Sequence, residues 1–282
     1  MNDVLSSRLR RLLARDEPAM LVRVAEAKGS TPRGTDAAML VTETQSFGTI
    51  GGGQLEFHAI DVARDLMAAG TARHRLAMPL GAHLGQCCGG HVTLEFSAGA
   101  QVIADELERE EALRAEAFPP ALIFGAGHTG RALALALAPL PFVVTLIDDR
   151  AEMLAGLPQN IATLRLDDPA QIIAAASPGA AFVILTHSHA LDYRLTQAAL
   201  LRRDASYVGM IGSATKRARF ERWFLASGGA REELAALVCP IGGKAVRDKR
   251  PEVIAALTAA ELLVCCPADA AARVAKREAA PV

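Results

Sequence analysis

Apolar residues in the second half of the chain fall into short runs that are separated by glycine turns and helical stretches. The first run, 121–124, is too short for a helix and predicts a strand buried on both faces. Four later runs alternate with helical periodicity: 142–147, 161–166, 182–185 and 207–211. This alternation predicts an α/β fold, in which a doubly wound parallel sheet of the Rossmann type carries helices on both faces.

The N-terminal part of the chain has a different pattern, typical of a smaller α+β domain. Short apolar stretches predict strands at 20–25, 38–42, 47–50, 74–79 and 91–96. Apolar residues from Leu55 to Leu66 repeat at helical spacing, and the charged stretch 105–116 predicts a solvated connecting helix that ends at Pro119-Pro120. We therefore expect an N-terminal domain over residues 1–100, a helical linker over 101–120, a Rossmann-like domain over 121–268 and a tail over 269–282.

A glycine turn follows the strand at 121–124. Gly125, Gly127 and Gly130 have GxGxxG spacing, in which the first glycine permits a tight turn, the second lets the backbone approach a phosphate, and the third allows close helix packing. The helix that follows would direct its free N–H groups and positive dipole end at a ligand over the turn. We therefore predict an anion-binding site here, with a purely structural turn as the alternative.

Three further residues bear on the ligand of this turn. The strand at 142–147 is followed by Asp148 and Asp149, near the position where an acid accepts a hydrogen bond from a ribose hydroxyl in dinucleotide-binding folds. His128, inside the turn, is bulkier than the residues usual for a dinucleotide. The pattern thus predicts a Rossmann-like unit but leaves its ligand open, since a fold does not determine a function.

A second glycine-rich helix start lies at Gly51 to Gly53. Glu56 falls in the first turn of the predicted helix, where it would repel an anion while interacting favourably with the helix dipole. A tight strand-to-helix corner and a second ligand-binding site are equal alternatives at this point.

Two adjacent thiols, Cys87 and Cys88, lie in the loop between the predicted strands 74–79 and 91–96. A cysteine that serves only packing is normally enclosed by apolar neighbours, whereas Gln86 and glycines flank this pair. We therefore expect a functional pair. One thiolate would face a ligand, because adjacent residues of an extended chain cannot both face one metal.

Polar residues also follow two later strands of the predicted parallel sheet. His187, His189 and Asp192 follow the strand at 182–185, at the edge of the sheet where ligands bind in open α/β folds. They would ligate a metal, orient a cofactor or relay protons. Alternatively, they close the strand end by hydrogen bonds, with Asp192 as a helix cap.

The next strand end repeats this arrangement with Gly212 and Ser213, and Ser213 is predicted to cap the following helix. Lys216, Arg217 and Arg219 follow on that helix. A solvated helix face is sufficient to explain these three charges.

Composition and charge narrow the class of protein. The chain has 282 residues and is 51% hydrophobic, with 30 basic and 31 acidic residues, so the charge balance gives no reason to expect nucleic acid or an anionic membrane as a partner. No apolar run reaches the roughly 20 residues of a membrane span, and the N-terminus lacks a signal-peptide pattern. The five cysteines do not form a secreted disulfide framework. We expect a soluble, cytoplasmic protein.

These motifs, in their order and spacing, resemble the XdhC/CoxI family of xanthine dehydrogenase accessory proteins. The resemblance rests on residues 29–33, 48–56 and 85–90, on FGAGHTGRALA from Phe124, IDDR from Ile147, THSHALD from Thr186, GMIGS from Gly209, and 240–242. After 240–242 the family continues through a Gly-Ala-x-Thr-Pro stretch, whereas this chain has a basic loop up to Arg250.

The resemblance implies a non-catalytic chaperone for the molybdenum cofactor, with an N-terminal XdhC/CoxI domain and a C-terminal Rossmann domain. Such proteins bind the molybdopterin form and shelter it while a cysteine desulfurase supplies the terminal sulfur ligand. They then pass it to the xanthine dehydrogenase apo-enzyme. The implied partners are that enzyme, the desulfurase, the molybdenum cofactor biosynthesis proteins and further copies of the chain in a homo-oligomer.

The residues offer a different site for each part of such a cofactor. The turn at Gly125 suits its phosphate, Asp148 or Asp149 its pterin N–H groups, and a thiolate of Cys87 or Cys88 its molybdenum. The full set of predicted cofactor contacts is Gln86, Cys87, Cys88, Gly125, Gly127, His128, Gly130, Asp148, Asp149, His187, His189, Asp192, Gly212 and Ser213.

Two other functions compete with this one. An NAD(P)-dependent oxidoreductase would use the same βαβ unit with His187 or His189 as proton carrier, but it leaves the thiol loop and the turn at Gly51 without a role. A metal-binding or interaction module would hold zinc with His187, His189 and Asp192.

Overall fold

A computed structural model describes residues 4–31, 33–35, 37–80, 90–243 and 245–266 of the protein. The chain divides into two compact units, Met1–Leu113 and Arg114–Val282. Each unit is built around a sheet of its own. In the described part of the chain, no helix combines the length and the apolar character that crossing a bilayer requires.

The first unit contains a five-stranded antiparallel sheet in the order β3-β2-β1-β5-β4. Its strands are β1 (Met20–Lys28), β2 (Ala38–Val41), β3 (Ser46–Gly48), β4 (Arg73–Pro79) and β5 (His91–Ala98), and its helices are α1 (Leu5–Leu13), α2 (Gly53–Ala68) and α3 (Gln101–Glu116). Side chains of β1 alternate between two cores. Val22 packs with Leu55 of α2 on one face, and Leu21 packs with Leu9 of α1 on the other.

The charged stretch 105–116 predicted a solvated connecting helix, but the first half of helix α3 is buried. Ile103, Ala104 and Leu107 are buried in the same core as α1, while residues 112–116 are exposed. Its acidic residues reach back to basic residues of the same unit, since Arg10 lies 2.7 Å from Asp105. Most of α3 therefore belongs to the packing of the first unit.

The second unit contains a six-stranded parallel sheet in the order β11-β10-β9-β6-β7-β8. Its strands are β6 (Pro120–Phe124), β7 (Val143–Asp148), β8 (Ile161–Arg165), β9 (Ala181–Ile184), β10 (Tyr207–Met210) and β11 (Leu237–Val238). From the other edge, and counted within the unit, the order is 3-2-1-4-5-6, that of a doubly wound dinucleotide-binding sheet. The predicted fold class is confirmed, and the order reverses between β6 and β9.

Helices cover both faces of this sheet. They are α4 (His128–Leu137), α5 (Ala170–Ala175), α6 (His189–Leu201), α7 (Ala214–Ala226) and α8 (Pro251–Cys265), with short 3-10 turns at Ala151–Leu154 and Glu233–Ala236. Ile123 packs in the core that includes residues of α4 and α8, whereas Phe124 packs in the core of α6 and α7. Burial on both faces explains why the strand at 120–124 is apolar throughout.

Candidate functional site

The glycine turn between β6 and α4 is held by two close backbone contacts. Gly125 has a φ of +114°, and a Cβ there would lie 2.3 Å from the carbonyl oxygen of Leu185. A Cβ on Gly130 would lie 1.9 Å from the carbonyl oxygen of Gly125. Both glycines are therefore required for the backbone path, as their spacing predicted.

Gly127 differs from the other two glycines because it faces open space. It is the N-cap of α4, with a φ of −65°, and a Cβ built on it meets nothing within 4 Å. The first turn of α4 carries no acidic residue, and Gly127 has no side chain that could cap it. The N–H groups at this helix start are thus accessible to an anion. His128, next to it, is exposed.

The two adjacent acids at the end of β7, Asp148 and Asp149, have different roles. Both oxygens of Asp148 already accept hydrogen bonds: Oδ2 from the Ala126 N–H at 2.6 Å and from Nη2 of Arg150, and Oδ1 from the N–H and Nε of Arg150. These four bonds use the acceptor capacity of a carboxylate. Asp148 is buried and positions the turn, so Asp149, which is exposed, is the acid accessible to a ligand.

The hydrogen bonds also determine the charge of Asp148. Burial alone would raise its pKa, but the bonds from the Arg150 side chain and from the backbone N–H groups of Ala126 and Arg150 outweigh burial. They hold the pKa of this carboxyl well below its ordinary value. Asp148 therefore stays ionised even in mildly acidic solution.

We expect Asp148→Asn to lower the free energy of unfolding of the second unit by about 2 kcal/mol at neutral pH, because charge-assisted bonds are lost. A carboxyl whose folded-state pKa is depressed stabilises the fold above its ordinary pKa and loses that effect as pH falls. The difference between wild type and variant should therefore shrink between about pH 5 and pH 2. Urea unfolding followed by the fluorescence of Trp223, the one tryptophan of the chain, measures it.

Asp149→Asn is the matched control for this experiment. Its carboxylate is exposed and lies 3.7 Å from Nε of Arg150, so its loss should change stability by less than about 0.5 kcal/mol. Equal effects of the two variants at neutral pH would contradict the positioning role of Asp148.

A narrow crevice lies at the point where the strand order reverses, which is where open α/β sheets bind ligands. Residues from the ends of β6, β7, β8 and β9 line it: Phe124, Gly125, Ile147, Asp148, Asp149, Leu166, Asp167, Pro169, Thr186, His187 and Leu191. Its volume of about 30 Å³ is far below the roughly 300–1,000 Å³ of small-molecule ligand pockets. A larger ligand must therefore extend beyond the crevice.

A wider groove adjoins the crevice and shares Thr186 and His187 with it. Its other lining residues are His189, Tyr193, Ile211, Gly212, Ser213, Thr215, Lys216 and Arg219. Its volume of about 460 Å³ lies within the range of small-molecule sites. The structure thus brings His187, His189, Gly212 and Ser213 together at one groove.

Several lining residues of these two cavities were not among the residues predicted from the sequence, and Asp167, Tyr193, Lys216 and Arg219 are four of them. A pattern that could have found three of them was present, because Asp167 follows the β8 run and the two cations follow the glycine at the end of β10. The cations were assigned to a solvated face, since helix periodicity alone does not show which neighbour a helix start meets.

Asp192 is separated from the histidines by burial. It is fully buried, and its Oδ1 lies 2.9 Å from the backbone N of Thr186 and 2.8 Å from the Thr186 hydroxyl. Its Oδ2 accepts a hydrogen bond from Nζ of Lys216. Since His187 and His189 are exposed, the three residues do not form one metal site.

The expectation that Asp192 caps the following helix is wrong. Ser188 is the N-cap of α6, and its Oγ accepts a hydrogen bond from the Leu191 N–H. The cap predicted at Ser213 is confirmed, because its Oγ accepts from the Lys216 N–H. Asp192 instead connects the end of β9 to α7.

The second glycine-rich helix start, at Gly51 to Gly53 in the first unit, is occupied by the carboxylate of Glu56 in the same helix. Oε2 of Glu56 accepts hydrogen bonds from the Thr49 hydroxyl at 2.6 Å and from the N–H groups of Ile50 and Gly52, each at 3.2 Å. Gly52, with a φ of +76°, is the N-cap of α2. This arrangement favours the tight corner over a second anion site, because an internal anion already holds the donors.

The predicted cofactor contact Gln86 and the two predicted thiol ligands Cys87 and Cys88 lie outside the described residues. Within residues 4–31, 33–35, 37–80, 90–243 and 245–266, no group of three or more histidine, cysteine, aspartate or glutamate side chains is arranged to hold a metal ion. The proposed zinc module on His187, His189 and Asp192 therefore has no support from the described part of the chain.

Comparison with known proteins gives matches along both units. Residues 121–262 match the sequence model of the XdhC Rossmann domain, and residues 12–77 match that of the XdhC and CoxI family. The Escherichia coli K12 protein YqeB is 25% identical over 256 residues, which cover 87% of this chain but 43% of that protein. The chain thus spans less than half the length of this relative.

A solved structure extends the comparison to the fold. A crystal structure from Bacillus halodurans, described as a xanthine dehydrogenase, has a TM-score of 0.72 and 17% identity and covers 98% of both chains. At this identity the likeness establishes a shared fold. Since the XdhC Rossmann model alone covers half of the sequence, and the second model covers most of the first sheet, the resemblance is confirmed. The chain belongs to the XdhC and CoxI family.

Proposed function

We propose that this protein is an accessory factor that binds a molybdenum–pterin cofactor, shelters it and delivers it to xanthine dehydrogenase. Membership of the XdhC and CoxI family supports the accessory role. The observation that carries the proposal is the ligand crevice at the reversal of the strand order, with an accessible helix start beside it.

The groups around the crevice fit two parts of such a cofactor, its phosphate and its pterin. The open space at Gly127 would admit a phosphate to the N–H groups at the start of α4. Asp149 and Asp167, both exposed, would accept hydrogen bonds from pterin N–H groups. A thiolate of Cys87 or Cys88 is the soft ligand that a thiophilic metal prefers.

Several residues of the site act by holding others in place. Asp148 fixes the glycine turn through the Ala126 N–H, and Asp192 fixes Thr186. A site of this kind is formed before its ligand arrives, which lowers the ordering cost of binding. The cofactor, when bound, supplies the molybdenum centre that the acceptor enzyme uses.

A carrier must also release its ligand. Its affinity for the cofactor should be high enough to exclude solvent and oxidants, yet lower than that of the acceptor enzyme. We accordingly propose that the protein has no catalytic step of its own and acts through binding.

The test is to purify the full chain from a host that makes the cofactor, and to quantify bound molybdenum by mass spectrometry and pterin by the fluorescence of its oxidised form. We expect both in the wild type. The double variant Cys87→Ala/Cys88→Ala should retain less molybdenum with an unchanged circular dichroism spectrum. Cys265→Ala, at the end of α8, is the control and should retain the wild-type amount.

Three results would count against the proposal or a part of it. Absence of pterin from the wild type, even after incubation with free molybdopterin, would contradict cofactor binding. Full molybdenum retention by the double variant would contradict the thiol role alone. Tight binding of NAD(P)H with hydride transfer to a carbonyl compound would instead identify an oxidoreductase.

A further inference from the structure

The groove at the carboxyl ends of β9 and β10 has a different charge from the crevice beside it. Three aspartates, Asp148, Asp149 and Asp167, line the crevice. The ten described residues that line the groove include two basic residues, Lys216 and Arg219, and no acidic residue. The ligand-binding edge of the sheet is therefore acidic towards β7 and β8, and basic towards β10.

The two cations of the groove lie on one face of α7, three residues apart. The side chain of Lys216 is 13% exposed and donates one hydrogen bond to Asp192. An ammonium group has three protons, so two donors remain. Asp192 balances the charge of Lys216 while fixing its position.

Arg219 supplies a positive charge to the groove. It is exposed, and within the part of the chain that the structure describes no carboxylate is paired with it. A guanidinium group presents several donors in a fixed plane, which suits an anion with several oxygens.

Smaller donors complete the lining. Ser213 and Thr215 contribute hydroxyl groups, and His187, after β9, and His189, at the start of α6, contribute ring nitrogens. The first turn of α7 carries no acidic residue that would repel an anion. At about 460 Å³, the groove accommodates a group much larger than a single water molecule.

We infer that this groove is a subsite for a tetrahedral oxyanion, with Arg219 as its main charge contact and Lys216 as a fixed donor. The inference rests on the proposed function only for the identity of the molecule that carries the oxyanion. Two sources share this chemistry: a metal-oxo group, or a phosphoryl group that would then lie in this groove and not at the helix start beside Gly127. The acidic crevice then takes the part of the same ligand that is rich in N–H or hydroxyl donors, which sets the direction in which the ligand lies across the sheet.

Titration of the full chain with inorganic pyrophosphate, and separately with molybdate, tests this subsite. Isothermal titration calorimetry gives the affinity. The fluorescence of Trp223 gives a local readout, because its ring centroid lies 5.4 Å from that of the groove residue Tyr193. We expect at least one anion to bind, less tightly at high salt because the charges are exposed. Preference for one anion identifies the source.

Arg219→Ala should weaken this binding about tenfold, the effect of losing one charge-assisted contact. Arg222→Ala is the matched control, because Arg222 lies on the same helix, is exposed and donates to the Ala218 carbonyl outside the groove. It should bind as the wild type does. Failure of both anions to bind the wild type, or equal affinity of Arg219→Ala and wild type, would overturn the inference.

This outcome is separable from that of the proposed function. Binding of pyrophosphate through Arg219 in a protein that retains no pterin would leave the oxyanion subsite standing and remove the cofactor proposal. Retention of pterin in a protein that binds neither anion would support the cofactor proposal and remove the oxyanion subsite.

Discussion

Replacing Gly130 by alanine is expected to destabilise the second unit by about 3 kcal/mol, because an added Cβ would meet backbone atoms that have no room to move. It would lie 1.9 Å from the Gly125 carbonyl oxygen and 2.7 Å from Cδ1 of Leu185. The first of these contacts is within the turn itself, so relief requires α4 to move away from β6. Urea unfolding followed by Trp223 fluorescence reports on the unit that contains the substitution.

Gly127→Ala is the matched control, because it makes the same glycine-to-alanine change within the same turn. A Cβ at Gly127 meets nothing within 4 Å. Its φ of −65° suits any residue, so we expect a stability change within about 1 kcal/mol. Similar unfolding midpoints for the two variants would contradict the close approach of helix and strand. The same Gly127→Ala protein should retain less cofactor, because the new methyl group occupies the approach to the helix start.

The sequence allowed the parallel sheet to be predicted because burial on both faces leaves a strong pattern. The run at 121–124, for example, is apolar throughout and lies in β6, the strand from Pro120 to Phe124. The two-residue strand β11 was not predicted, because so short a segment has no periodicity.

Polar residues were harder to interpret, because their role depends on how many partners they have in three dimensions. Asp148 and Asp149 are equivalent in the sequence, yet one is saturated by four hydrogen bonds and the other is exposed. Glu56 likewise satisfies the donors of the turn it was expected to protect from anions. The partners that decide these roles lie between 2 and 22 positions away in the sequence, and the pattern of residues alone does not specify which of them a carboxylate meets.

The groove illustrates the same limit over a longer range. His187 and Lys216 are 29 positions apart in sequence but line one cavity, because β9 and β10 are neighbouring parallel strands whose carboxyl ends meet at one edge. Each strand end is recognisable in the sequence by itself. The pairing that joins them is a property of the sheet order.

Asp192→Ala is expected to cost about 3–5 kcal/mol of stability, because it breaks a buried pair and leaves a charge without its partner. Asp192 is fully buried, and its carboxylate satisfies the N–H and hydroxyl of Thr186 as well as Nζ of Lys216. Denaturant unfolding monitored by Trp223 fluorescence measures the loss. The exposed pair of Asp168 and Arg194 provides the control, since both side chains are 57% exposed, and Asp168→Ala should cost less than about 1 kcal/mol.

A second variant separates the two parts of this cost. In Asp192→Ala/Lys216→Met the unpaired buried charge is absent, so the double variant should be more stable than Asp192→Ala alone. The remaining deficit then measures the bonds to Thr186, which hold the end of β9 where His187 enters both cavities. If Asp192→Ala costs no more than Asp168→Ala, the strand end must be held by its backbone alone, and Lys216 would no longer be a fixed donor to the groove.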